Sequence, residues 1–244
     1  MEKKGELTTT QIVMIIILIV SFIVILYVLY RLNLGSTSNS QICYNSVVLN
    51  SKSAGTVGYL NCKTDYVCIT GGGKCANLNP TVTISVDVNN KTEIMKAVAD
   101  QLSSCWSMFG EGKLNYGTKG LFGSSGCALC SVVEFDSKIL AKNYDIPYSQ
   151  FFSYMNSALK DNTQTYLTYL YGVYSVAPLL SNYSVLKDNL NNNIITDQQY
   201  SIATGYYTGW AGGFFGGNGN IPPSYLPQNQ LSTELKCSNF VTQA

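Results

Sequence analysis

Histidine is absent from all 244 residues of this chain. Its absence excludes a Ser/His/Asp triad and a Cys/His nucleophile pair, and it removes the most frequent protein ligand of zinc and copper. Charge is scarce too: Asp, Glu, Lys and Arg together make up 12% of the residues, about half the usual fraction. Fifteen basic residues stand against fourteen acidic ones, which leaves no basic surplus to neutralise the phosphates of a nucleic acid. Serine, threonine, asparagine and eighteen tyrosines supply the polar surface instead.

The longest apolar run, itself free of charge, goes from Ile12 to Tyr30, between Gln11 and Arg31, with Ser21, Tyr27 and Tyr30 as its polar members. At about 1.5 Å per helical residue it reaches roughly 28 Å and is apolar on every face, so it predicts a transmembrane helix that contacts membrane lipid. It exceeds the apolar core of a cleaved secretory signal, usually ~7 to 15 residues, and no small-x-small site follows Leu32. Lys3 and Lys4 before it, against Arg31 after it, favour a cytoplasmic N-terminus.

Cysteine is the second signal. Cys43, Cys62, Cys68, Cys75, Cys105, Cys127, Cys130 and Cys237 form an even set, all beyond the apolar run. Such a set predicts disulfides in an oxidising compartment and places the bulk of the chain outside the cell. Zinc is not expected, because Cys43 to Cys75 contains no Cys-x2-Cys pair and the chain has no histidine. The expected organisation is a cytoplasmic N-terminus (1–11), a transmembrane helix (12–30), a Gly/Ser/Asn linker (31–42), a cystine-stapled module (43–79) and an α+β ectodomain (80–244). The triplets at Asn90 and Asn182 are candidate glycan acceptors on the outer side.

Within the ectodomain, Thr81 to Val88 alternates strictly and predicts a strand with Val82, Ile84, Val86 and Val88 on one face. A helix follows, with Thr92 as its cap, Ile94, Val98, Leu102, Cys105 and Phe109 as its apolar stripe, and Gly110 and Gly112 as its stop. Further on, the residues after Cys127 read as a strand. Pro147 opens a helix striped by Phe151, Phe152, Met155, Ala158 and Leu159, up to Lys160. Tyr166 to Tyr171 fits a short helix or a strand, and Gln199 to Thr208 a strand with Tyr200, Ile202 and Tyr206 on one face. The order predicts an α+β fold: a small mixed or antiparallel sheet with helices on one face.

Two resemblances bear on this reading. Lys3-Lys4-Gly5, followed by Glu6 to Gln11 and the apolar run, resembles the class III signal peptides of archaeal type IV pilins. That resemblance implies cleavage after Gly5 and a helix packed in a filament core, although Thr10 stands where the family carries a glutamate. The segment Cys105-Trp106-Ser107-Met108-Phe109-Gly110-Glu111-Gly112-Lys113, with the later Cys127-x-x-Cys130, resembles uncharacterised single-pass proteins of small-genome archaea and implies an archaeal origin without an activity.

The candidate chemistry is sparse. Cys127-x-x-Cys130 has redox spacing but lies in a strand rather than at a helix N-terminus, so the two cysteines are expected to find partners elsewhere, such as Cys105 and Cys237. Glu111 and Lys113 among glycines suit a ligand contact or a local ion pair, and the Gly-x4-Gly-Lys-Ser/Thr order of a phosphate loop is missing. Glu134 and Asp136 read as a solvated strand end more readily than as an acid/base pair. Tyr166, Tyr169 and Tyr171, and the loop with Trp210, Phe214 and Phe215, suit protein or polymer contact. The leading expectation is a non-enzymatic, single-pass surface protein whose disulfide-stabilised ectodomain contacts proteins or cell-envelope polymers, without cofactor or metal. A pilin-like filament subunit and a membrane-tethered thiol oxidoreductase using Cys127 and Cys130 are the other readings.

Overall fold

The computed structural model describes residues 9–31, 39–53, 60–114, 116, 124–182, 190–208 and 220–228; the side chains at 9, 26, 28–31, 124, 125, 180–182, 207, 208 and 220 lie outside that description. The chain forms two units, Met1–Ser38 and Asn39–Ala244. In the first, the apolar run is helical as α1 (Thr9–Arg31), and its apolar side chains from Ile12 to Ile25 are exposed. The expected membrane crossing is overturned here: among the described residues no helix is long and apolar enough to cross a membrane. The apolar side chains described without a break span Ile12 to Ile25, about 21 Å of helix against a hydrocarbon core of about 30 Å.

The second unit is α+β. Five strands make one mixed sheet in the order β2-β1-β3-β4-β5, with β1 (Asp65–Thr70), β2 (Val82–Ser85), β3 (Ser124–Phe135), β4 (Tyr200–Thr208) and β5 (Asn220–Pro227). β2, β1 and β3 run parallel, whereas β3, β4 and β5 are antiparallel. The stretch from Cys43 to Cys75 does not stand apart as a module of its own. It supplies α2 (Asn39–Lys52) and β1 to the same unit, and the linker expected up to residue 42 is already helical from Asn39.

α3 (Lys91–Met108) is the core helix. Ile94, Val98, Leu102, Cys105 and Phe109 are all buried, and the helix packs on β3, β4 and β5 beneath α2, α5 (Tyr148–Ser157) and α6 (Tyr166–Tyr171). At about 1.5 to 3 kcal/mol for each large apolar side chain removed from water, this one face outweighs any propensity term. Its cap is Asn90 rather than Thr92. Asn90 accepts from the backbone N–H of Thr92 and Glu93 at 3.0 and 3.4 Å, while Glu93 reaches back to the N–H of Asp87 at 2.8 Å. In α5 the stripe of Phe151, Phe152 and Met155 is buried, but the helix ends at Ser157 and Leu159 turns out to solvent.

Register places the cysteines. Between Leu129 and Ser131 the β3/β4 ladder slips by one residue, and the extra residue is Cys130. Cys130 shares the core-side face with Ala128, two residues before it, and bonds Cys105 of α3, while the slip brings Val133 and Phe135 onto that same face. The β4/β5 ladder slips similarly opposite Pro222 and Pro223, which lack the N–H of a regular ladder and lie on the last strand of the sheet.

Candidate functional site

Helix α3 ends in a Schellman cap. The N–H of Gly110 donates to Ser107 O at 3.1 Å and that of Glu111 to Trp106 O at 2.9 Å, with Gly110 left-handed at φ +77°. The chain then stays left-handed for two more residues, Glu111 at φ +56° and Gly112 at φ +72°. Glycine adopts this conformation freely; glutamate does so at a cost of about 1 kcal/mol or more. A Cβ on Gly112 would lie 2.9 Å from Trp106 Cζ2, so the turn is folded tightly over the indole. Left-handed Glu111 therefore stands out of this turn.

Its carboxylate is shared. Glu111 Oε2 accepts from Lys113 Nζ at 2.6 Å, and Oε1 accepts from the Tyr169 hydroxyl of α6 at 3.0 Å. Above Tyr169, Lys160 Nζ lies 4.1 Å from the ring centroid, a cation–π contact, and 3.7 Å from Asp161 Oδ2. Residues distant in sequence thus meet in one surface patch of two carboxylates, two ammonium groups and a phenol. The bond from Lys113 is the main cause that holds the Glu111 carboxyl below its ordinary range, with smaller help from Tyr169 against the opposing effect of partial burial. Desolvation, and then the bond to Glu111, push the Tyr169 phenol up. Asp161 is held down to about 2, first by the Thr163 hydroxyl. Lys160 and Asp161 escaped the sequence reading; the signal for Asp161 was its Asp-x-Thr turn, in which Oδ1 accepts from Thr163 N at 2.8 Å and Gln164 N at 3.1 Å.

The remaining candidates separate. Tyr166 is fully buried and donates to Asp100 at 2.5 Å, so it is core rather than contact surface. Tyr171 is half-buried, with its hydroxyl on Pro223 O at 3.3 Å. Asn90 lies at the start of α3, and Asn182 ends α7 (Ala177–Asn182). Trp210, Phe214 and Phe215, like Gly5 and Cys237, fall outside the described residues.

Glu134 and Asp136 are not a solvated strand end but buried acceptors. Asp136 Oδ2 takes bonds from Thr70 Oγ1 (2.8 Å), Gly71 N (3.1 Å) and Gly73 N (2.6 Å), and Oδ1 takes one from Ile139 N (2.9 Å), which caps the short helix α4 (Ser137–Leu140). Glu134 accepts from Asn77 N and Gln199 Nε2, both at 3.0 Å. Each carboxylate accepts from backbone N–H groups of a neighbouring loop.

Cys43 pairs with Cys62, Cys68 with Cys75 and Cys105 with Cys130; Cys127 is disulfide-bonded as well, and among the described residues no cysteine is free. The Cys-x-x-Cys residues are therefore not each other's partners. Among the described residues no cluster of three or more Cys, Asp or Glu side chains is placed to hold a metal. Comparison with family models, curated proteins and solved structures found no match to this chain.

Proposed function

We propose that this chain is a non-enzymatic interaction protein of an oxidising compartment outside the cytoplasm, and that it contacts a protein or envelope polymer through the patch of Glu111, Lys113, Tyr169 and Lys160. The observation that carries the compartment is the cysteine chemistry. A chain with no free thiol among its described residues, whose bonds tie α2 to the residue stretch before β1 and α3 to β3, depends on an environment that keeps thiols oxidised. The patch is supported by its construction: a glutamate is kept in a costly left-handed conformation and aimed at a lysine and a tyrosine, where polar residues around an aromatic suit an interface rim.

The test has two arms. Mass measurement of alkylated, unreduced protein recovered from its source cells should show no alkylated cysteine, and a fully alkylated chain would end the compartment reading. Binding of the full oxidised chain to isolated cell envelopes should weaken about tenfold for Lys113→Glu and for Tyr169→Phe, which keeps the ring packed on the core, with each variant still melting cooperatively; Tyr169→Ala would also remove core packing. Equal binding by wild type and both variants would sink the patch as a contact surface.

A further inference from the structure

Asn90 divides its two amide atoms between two environments. Oδ1 faces the helix and is consumed by the cap, accepting from Thr92 N at 3.0 Å and Glu93 N at 3.4 Å. Asn90 as a whole is half-buried, and its Nδ2 donates to Glu93 Oε1 at 3.2 Å, a side chain itself exposed. An amide nitrogen carries two hydrogens, so one remains when Glu93 has taken the other. The residue two places on, Thr92, is exposed and completes the Asn-x-Thr triplet. A cap alone would be served as well by Ser or Asp, and neither carries this nitrogen.

We infer that Asn90 is a glycan attachment site whose carboxamide both caps α3 and carries the sugar. The inference rests on the reading of an exported chain. In the step, Nδ2 attacks the anomeric carbon of a sugar joined through phosphate to a lipid carrier. The N–C bond forms as the C–O bond to phosphate breaks, the displaced Nδ2 proton passes to a base of the transferring enzyme, and the phosphate-terminated carrier leaves. The product is still an amide. Oδ1 keeps its two cap bonds and the last Nδ2 hydrogen keeps Glu93, so the folded chain tolerates the modification without loss of the helix start. The sugar would project beside Asn89, Lys91 and Thr92, where Lys142 Nζ meets Asn89 Oδ1 at 2.7 Å and Lys91 Nζ meets Asp145 O at 3.2 Å. These donors hold the surrounding loop in place beneath it.

The experiment expresses the full chain in a secreting, N-glycosylating host and reads intact and peptide masses, with an endogenous secreted glycoprotein from the same culture as the control for transfer. The peptide containing Asn90 should carry a whole-sugar mass increment. Asn90→Asp and Thr92→Ala should each abolish it, whereas Thr92→Ser should retain it. Asn90→Ser, which keeps a capping oxygen without setting a second carboxylate against Glu93 Oε1, should also abolish the increment and melt like the unglycosylated wild type, which separates loss of the acceptor from loss of the fold. A disulfide-bonded, correctly folded chain without sugar on this peptide, from a culture whose control glycoprotein is modified, overturns the inference while leaving the exported reading intact. Retention of the increment in Thr92→Ala also overturns it. A chain recovered with free thiols would instead strike at the exported reading.

Discussion

Gly112 is held at φ +72° with Trp106 Cζ2 placed 2.9 Å from where a Cβ would stand. Gly112→Ala is therefore expected to cost about 2 kcal/mol, the sum of a left-handed alanine and a displaced indole, measured as a lowered midpoint in urea. Glu111 is one residue away and predicts a pH dependence of definite sign. Its folded pKa lies below the ordinary value of 4.5, so its contribution is complete above that pH and is lost as the pH falls through the lower, folded value. The stability difference between wild type and Glu111→Gln should be on the order of 0.5 kcal/mol at neutral pH, as for a water-screened surface pair, and should shrink progressively as the solution is acidified. A gap that widens on acidification would contradict the assignment. Asp136 lies at the opposite extreme. It is fully buried and accepts from three backbone N–H groups and the Thr70 hydroxyl. Asp136→Ala leaves the three backbone donors unpaired, while the Thr70 hydroxyl keeps the Gly73 carbonyl at 3.0 Å, and is expected to cost about 4 kcal/mol, read by the same denaturation.

Among the elements, α3 and β3 define the unit, and the Cys105–Cys130 bond joins them across a sequence separation of 25. Cys130 reaches α3 by the regular alternation that also buries Ala128, and the slip that follows lets Val133 and Phe135 pack on the same face. Replacing both cysteines with alanine is expected to lower stability by about 3 kcal/mol through the freed denatured chain, while leaving the Cys43–Cys62 and Cys68–Cys75 bonds intact by peptide mapping. Helix α3 was legible in sequence because its stripe is strictly periodic and its far end carries two glycines. Its cap was misplaced by two residues, since both Asn90 and Thr92 are capping types and only the backbone shows which one is extended: Asn90, at φ −111° and ψ 93°. The strand β5 was not legible at all. Pro222 and Pro223 argue against a strand in any local reading, and they are accommodated because β5 is the last strand of the sheet and the ladder slips beside them.

Across the whole molecule, tyrosine replaces much of what larger aliphatic cores supply. Tyr200 and Tyr225 stack at 4.4 Å between centroids, Tyr148 donates to Tyr225 O at 2.9 Å, and Tyr225 donates to Ile194 O at 3.1 Å. Burial raises Tyr116, Tyr148, Tyr200 and Tyr225 above the ordinary phenol value of 10. A raised folded pKa means stability that is complete below the unfolded value and is lost as the pH climbs toward the folded one. The second unit should consequently unfold in alkali above about pH 10, and tyrosinate absorbance from these residues should rise together with the loss of secondary structure. Gradual ionisation with the fold retained would contradict that coupling.

The amino-acid sequence by itself determined the α+β class, the position and buried stripe of α3, the strand at Tyr200 and the oxidised state of the cysteines, because periodicity and cysteine number are properties of the chain read locally. Tertiary structure decided the rest. Which cysteine meets which depended on how α3 packs on β3, Tyr166 is buried while Tyr169 on the same short helix is half-buried, and Glu111, Lys113, Lys160 and Tyr169 became a patch only when α6 packed against α3. Contacts of that kind are made between elements far apart in sequence, and their geometry exists only once the sheet and helices have closed on a common core.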